Sequence, residues 1–543
     1  MGYIKTVVEK NLVRDSLVLM KISEDLKKIP GVEEALVAMG TETNKKLAMD
    51  LGVFTPDVEK ASEGDLFIAI RASSQEALEK AIAAAREMLS KPAGAGEAEF
   101  YDVDMALAAL PDANLALISV PGEYAKEVAM KFLEKGIHVH VFSDHVPKED
   151  EVEMKKYAFE RGLLVLGPGA GTSIINGVAI AFANAVRRGP IGIVASAGTG
   201  LQEVSSLIHN LGSGVSQGLG VGGGDVKNYV GGLMMKLGLK LLDRDEETKV
   251  LTIVAKPPEK ETLESILQYV EKETRKPIVF GFMGKFTLSL PKGLVGRASA
   301  ARSLHATALE AVRLVDEELY KRGKEKLTIP YEKLLSMLQP YWEELSPKQK
   351  YIRGLFTGGT LTSEALTLLD ELKIELYSNA PLPGQKRLPD PFRSVGNTIV
   401  DLGEEEFTAG RAHPMIDPTI RRLRLIEEAK DPEVAVVLMD FVLGYGSHID
   451  PVGAHLPAIK EAQKIAEADG RKLVIIGYVL GVSGDPQGYE SQVEKLKSVG
   501  AIVPPTNAVG VLSAAVVASR GQISRNIVDK FYKEYFEAYI KAR

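Results

Sequence analysis

Hydrophobic positions in this chain fall into two patterns, short unbroken apolar runs and apolar residues spaced three and four apart, which alternate over most of its length. The clearest instance begins at Ile191-Gly192-Ile193-Val194, which reads as a buried parallel strand. The run breaks at Ala197-Gly198-Thr199-Gly200 and resumes with Leu201, Val204, Leu207 and Ile208, the spacing of a helix. A strand entering a helix through small residues points free backbone N–H groups, and the positive end of the helix dipole, at one place where an anion can sit. Further on, the glycine run ending at Gly222-Gly223-Gly224-Asp225 is a second stretch where a ligand could touch backbone.

The same plan recurs at Leu355-Phe356-Thr357-Gly358-Gly359-Thr360-Leu361-Thr362-Ser363-Glu364. Aligning Gly198-Thr199 with Gly359-Thr360 places Glu203 on Glu364, so both copies read strand, Gly-Thr, three residues, Glu. Two helix starts of one design predict two related α/β domains facing a shared anionic group. Gly198, Thr199, Gly200 and Glu203 from one, and Gly358, Gly359, Thr360 and Glu364 from the other, are its candidate binding residues. Glu203 and Glu364 also have a plain structural reading, as acids favoured by the dipole of a helix start.

Around these copies the pattern divides the chain. Residues 1–95 alternate strands and helices as a small αβ domain with a ferredoxin-like or ACT-like sheet, closed by a Pro-Ala-Gly-Ala-Gly linker at 92–96. Residues 97–185 and 186–318 read as doubly wound parallel-sheet units, whose ligands usually lie beyond the carboxyl ends of the strands. A helical connector spans 319–348, and 349–543 forms the last α/β domain with an amphipathic terminal helix at 525–541.

Length and composition agree with this division. A chain of 543 residues exceeds one hydrophobic core, and 45% hydrophobic with 26% charged residues is a soluble globular balance. A net charge of −7 leaves no basic footprint for nucleic acid. No apolar run reaches membrane-spanning length and the amino terminus lacks a signal-peptide layout, so a cytoplasmic location is expected. Zero cysteines exclude disulfides, thiolate metal sites and a cysteine nucleophile. Arg387 and Arg393 lie in a long Pro-rich loop; His138 and His140 share one strand face; His413 and Asp417 stand four apart. His448, Asp450 and His455 could suggest a metal, but they span a turn and a following helix, and no metal is expected.

The runs Pro111-Asp112-Ala113-Asn114, Ala181-Phe182-Ala183-Asn184, Lys256-Pro257-Pro258 and Arg411-Ala412-His413-Pro414-Met415-Ile416-Asp417-Pro418 resemble the FdrA family over the whole chain. More distantly, 97–315 resembles the α subunit of succinyl-CoA synthetase and 350–515 the carboxy-terminal domain of its β subunit. The resemblance implies a Rossmann-like CoA-binding-type domain followed by two flavodoxin-like ligase domains, with the two Gly-Thr helices flanking a phosphate site. It departs from the synthetases in having Arg297 where they carry a phosphorylated histidine, in lacking an ATP-grasp portion, and in having Gly169 and Ala170 in the loop that would hold CoA. His305, eight residues after Arg297, reads as structural. The FdrA resemblance implies a subunit of an oxamate carbamoyltransferase, splitting oxalurate with phosphate into oxamate and carbamoyl phosphate during allantoin breakdown, with separately encoded partner subunits. Arg297 would then stabilise developing charge, Arg411 or Arg393 would hold the substrate carboxylate, and His413 would donate the proton. An acyl-CoA synthetase subunit binding CoA at 167–172 is the second enzyme reading, and a regulatory or scaffolding subunit the third.

Overall fold

The computed structural model describes residues 3–90, 100 and 102–539, and the linker expected at 92–96 lies outside them. The chain forms two compact units, one of residues 1–99 with 402–425 and the other of 100–401 with 426–543.

In the first unit, strands β1 (Tyr3–Glu9), β2 (Val32–Met39) and β3 (Leu66–Ala72) form an antiparallel sheet in the order β1-β3-β2. The central strand is buried on both faces, and its side chains alternate between two cores. Leu66, Ile68 and Ile70 pack with Leu19, Leu26 and Leu78 from helices Ser16–Lys27 and Gln75–Ser90, whereas Phe67 and Ala69 pack with Leu47 and Val58. The segment 402–425 folds with this sheet, not with the last α/β domain into which the sequence pattern places it. The Asn44 side-chain amide donates to the carbonyls of Met39 and, at 3.0 Å, Gly410, and Leu423 packs on the second core.

The second unit contains three sheets. Strands β4 (Leu115–Ile118), β5 (His138–Val141) and β6 (Val165–Leu166) make a short parallel sheet. The next comprises β7 (Thr172–Ile175), β8 (Val178–Ala181), β9 (Ile191–Ala195), β10 (Val215–Gly220), β11 (Val250–Ala255), β12 (Ile278–Phe282) and β13 (Ala298–Ala301). Its order is β13-β12-β11-β9-β10-β7-β8. The five strands β9 to β13 are parallel, and the β7-β8 hairpin adds an antiparallel edge. The first two sheets share one hydrophobic core through residues such as Val139, Met234 and Leu251.

Strands β14 (Tyr351–Phe356), β15 (Tyr377–Ser378), β16 (Lys386–Arg387), β17 (Thr398–Asp401), β18 (Val434–Val442) and β19 (Val474–Leu480) form the third sheet. They are parallel, in the order β16-β15-β17-β14-β18-β19. In both large sheets the strand preceding the Gly-Thr turn lies between later strands to either side, so its carboxyl end opens at a point where the winding reverses. Ligands of doubly wound sheets bind in that crevice.

Candidate functional site

The repeated helices begin where the sequence places them and match in length, at Gly198–Asn210 and Gly359–Glu371, hereafter the Gly198 and Gly359 helices. In each, Thr and Glu stand four apart and therefore share one face. Those faces meet: the Thr360 amide donates to Thr199 Oγ1 at 3.2 Å. Glycine makes the approach possible, since a Cβ on Gly358 would lie 2.9 Å from Thr199 Cγ2 and one on Gly200 3.0 Å from Thr360 Cγ2.

One turn further in, Glu203 and Glu364 are both buried. Tyr478 donates its hydroxyl to Glu203 Oε2 at 2.6 Å, while Glu203 Oε1 has no hydrogen-bond partner among the described residues. Glu364 accepts from the Leu304 amide and the Asn507 side chain, both at 2.8 Å. Desolvation raises both carboxyls, Glu203 to about 8 and Glu364 to about 7. Glu203 stands higher because the nearby Glu364 and Asp440 carboxyls also oppose its ionisation, whereas Glu364 has two donors favouring its charged form. At neutral pH Glu203 is thus mainly protonated and Glu364 about half so, which reduces the negative charge behind the helix starts.

The two starts differ at their tips. Neither helix has a side-chain cap, but at the Gly198 helix the amides of Gly198, Thr199 and Gly200 have no hydrogen-bond acceptor among the described residues. The Gly359 helix is preceded by a turn that Asp440 has already claimed. Its carboxylate accepts from the Thr357 and Gly358 amides at 2.8 Å each and from the Thr357 hydroxyl at 3.1 Å. Asp401, at the end of β17, comes within 2.9 Å of where a Gly359 Cβ would be. Two carboxylates at this start disfavour a further anion, so the open anion position belongs to the Gly198 helix.

Arg297 is not at this position. It immediately precedes β13 at the amino edge of the parallel sheet, a strand's length from the Gly198 turn. Its guanidinium donates to the carbonyls of Val270 and Lys276 and to the Thr274 hydroxyl, closing the end of helix Lys260–Glu273. A cation that does stand at the carboxyl edge is Lys256. It follows β11 directly beside the end of β9, is exposed, and forms no ion pair among the described residues. Sequence reading noted Lys256 only as part of a family-like run.

Gly222 also serves packing more than a ligand, whereas a Cβ on Gly223 would meet open space. A Cβ on Gly222, whose φ is +79°, would lie 2.5 Å from the Pro168 carbonyl oxygen, so this turn closes onto the 167–172 loop. The following Asp225 is fully buried and, with Glu151, receives Lys155 Nζ at 2.6 and 2.7 Å. Gly222 is thus seated on Gly167-Pro168, in the loop where the acyl-CoA synthetase reading would bind CoA.

Arg393 is 87% exposed and only 3.8 Å from Asp390, and Arg387 donates to the Asn379 carbonyl. His305 is buried, with ring nitrogens bonded to Thr506 and Thr328. His140 is buried and lowered to about 4 by desolvation, while His138 accepts the Leu164 amide. His448 and Asp450 shape the start of helix Pro451–Ala468, where His455 binds the Pro451 carbonyl.

Arg411 and His413 belong to the first unit. Arg411 pairs with Asp417 at 2.7 Å. His413 Nδ1 accepts the Met415 amide, and burial lowers the ring to about 4, which removes the imidazolium needed for proton donation at neutral pH.

Residues 1–102 match a family model described as AllF, heavy metal-associated domain, and residues 355–517 match the CoA-ligase model. Heavy-metal sites draw on soft thiolate ligands, yet this chain has no cysteine, and among the described residues no three His, Cys, Asp or Glu side chains could hold an ion. The residues present do not fit such a metal. The succinate–CoA ligase [ADP-forming] α subunit of Aquifex aeolicus is 29% identical over 194 residues, 35% of this chain and 61% of that one. ATP citrate lyase from Methanothrix soehngenii, solved with citrate and coenzyme A, covers 80% of this chain and 86% of its own at 15% identity and a TM-score of 0.34. The uncharacterized protein YahF of Escherichia coli K12 is 42% identical over 522 residues, 96% of this chain and 99% of its own length. At that identity across almost the whole of both chains, this protein belongs to the YahF family, which here joins an AllF-type amino-terminal domain to a CoA-ligase domain.

Proposed function

We propose that this chain is a subunit of a carbamoyl-transferring enzyme that cleaves oxalurate with phosphate, giving oxamate and carbamoyl phosphate in allantoin breakdown. The observation that carries the reading is the uncapped Gly198 helix start, opening at a winding-reversal point beside Lys256. Three adjacent amides, a helix dipole and an ammonium suit phosphate and the charge that gathers on a carbonyl under attack. The AllF-type amino-terminal domain and the resemblance to FdrA proteins supply the substrate class. The loop that by resemblance carries the synthetases' phosphohistidine holds Arg297 and no histidine in this chain, which favours direct attack over a phosphoenzyme.

In this mechanism a phosphate oxygen attacks the ureido carbonyl, the C–N bond to the oxamate nitrogen breaks, and the proton of hydrogen phosphate passes to that nitrogen. Total charge is unchanged. The amides of Gly198, Thr199 and Gly200 hold the anion, and Lys256 adds charge at the rim. Partner subunits supply the remaining contacts to the substrate.

The test is thermal unfolding of the full chain with phosphate, carbamoyl phosphate, oxalurate, CoA and ATP, since a ligand of the folded state raises the transition temperature. Stabilisation by phosphate and carbamoyl phosphate is expected. Stabilisation by CoA instead, or by none of the five even with partner subunits present, would sink the reading.

A further inference from the structure

The first unit contains a cavity of about 40 Å³ between helix Ser16–Lys27, β2 and the 410–419 segment. On the scale where one water needs about 10–15 Å³, it accepts roughly three non-hydrogen atoms, with more at its mouth. Leu19, Leu36 and Leu47 give it an apolar wall, and Arg411 and Asp417 lie along the other side.

Arg411 is the unusual member. Its side chain is 5% exposed and Nη2 is taken by Asp417, but Nη1 is buried with no hydrogen-bond acceptor among the described residues. A buried donor left without an acceptor is costly, and more so when it is charged. Other polar groups at the wall are served: Ser23 accepts the Val37 amide and donates to the Leu19 carbonyl, and Asn44 donates to Met39 and Gly410.

We infer that this cavity is a binding site for a small uncharged molecule whose amide-type carbonyl oxygen accepts from Arg411 Nη1. Charge chooses the class. The wall carries Arg411 and Lys27 against Asp417 and Glu24, and Lys27 is also paired with Glu34 at 2.9 Å. Arg411 is already neutralised by Asp417, so a carboxylate would bring an uncompensated charge into the cavity. A carbonyl supplies the missing acceptor without one, and its alkyl part rests on the leucines. The inference stands on the first unit alone and does not depend on the transfer chemistry proposed above.

Ligand-detected saturation-transfer NMR on the full chain, with propionamide, propionate and propylamine as matched probes, tests it. Propionamide is expected to give the strongest signal, falling at least fivefold in Arg411→Met and in Ser16→Phe, which narrows the mouth and leaves the Arg411–Asp417 pair in place. If Arg411→Met fails to fold, the folded Ser16→Phe variant decides. No propionamide signal from the wild-type chain, an unchanged signal in a folded Ser16→Phe variant, or a stronger signal from propionate would each overturn the inference.

Discussion

The two Gly-Thr helix starts share a sequence plan, a length and a buried glutamate, yet one is open and the other is closed. The Gly198 start keeps three amides unclaimed, whereas Asp440 occupies the turn before Gly359. A duplicated local design therefore sets where an anion could bind, and a distant strand residue decides whether it does. Asp440 comes from β18, more than eighty residues beyond the turn whose amides it accepts.

The largest expected effect comes from removing that carboxylate. Asp440→Ala leaves the buried Thr357 and Gly358 amides without an acceptor and should lower stability by about 2–5 kcal/mol, measured by denaturant unfolding. Asp440→Asn keeps an acceptor but removes the charge. Calorimetric titration should then find a second phosphate site, and a stoichiometry unchanged from wild type would break the comparison.

The glutamates differ by degree. A carboxyl raised in the folded state binds protons that the unfolded chain has released, so stability falls as pH rises from about 4.5 to about 8 and is level above that. Glu203→Gln should remove this slope, matching wild type near pH 5 and exceeding it at pH 9 by an amount on the order of a few kcal/mol. Glu364→Gln should change less, because it exchanges one of two good carboxylate acceptor positions for an amide donor facing the Leu304 N–H or the Asn507 amide. Thermal melts across pH would show whether the two follow this order.

Smaller effects separate the two edges of the sheet. Lys256→Ala should weaken phosphate binding about threefold to fivefold, close to ~1 kcal/mol for an exposed charge, with no change in melting temperature. The difference should shrink as salt is added. Arg297→Met should leave phosphate affinity unchanged and cost at most about 1 kcal/mol of stability through the end of helix Lys260–Glu273. A large loss of phosphate binding would return Arg297 to the site.

Much of this was legible in the chain because it is local. Apolar runs mark β9 and β14, small residues mark the turns, and the shared Thr-to-Glu spacing sets both helices in the same register. What was not legible is the side of the sheet on which a residue falls. Arg297 stands in a glycine loop that looks like a ligand loop, but that loop enters β13 at its amino end. Asp440 did leave a trace, as the one charge within the apolar run Val434–Val442, because a charge in a strand buried throughout must have donors waiting for it. Likewise, Arg411 reads as part of the last domain until the fold carries 402–425 to the small antiparallel sheet, a long-range pairing with no local signal.

The crossed satisfaction of the two buried glutamates bears on how the chain assembles. Glu203 takes its hydroxyl from Tyr478 in the later half, and Glu364 takes an amide from Leu304 in the earlier half. Neither half completes its own buried acid, so each, produced alone, would present a wet, ionised carboxylate on the face that should dock. The helices at 317–343 act as a tether that turns this docking into an intramolecular event, at an effective concentration of about millimolar for a short linker. A chain cut within that tether should give two pieces that fold well only in each other's company, and whose union takes up protons.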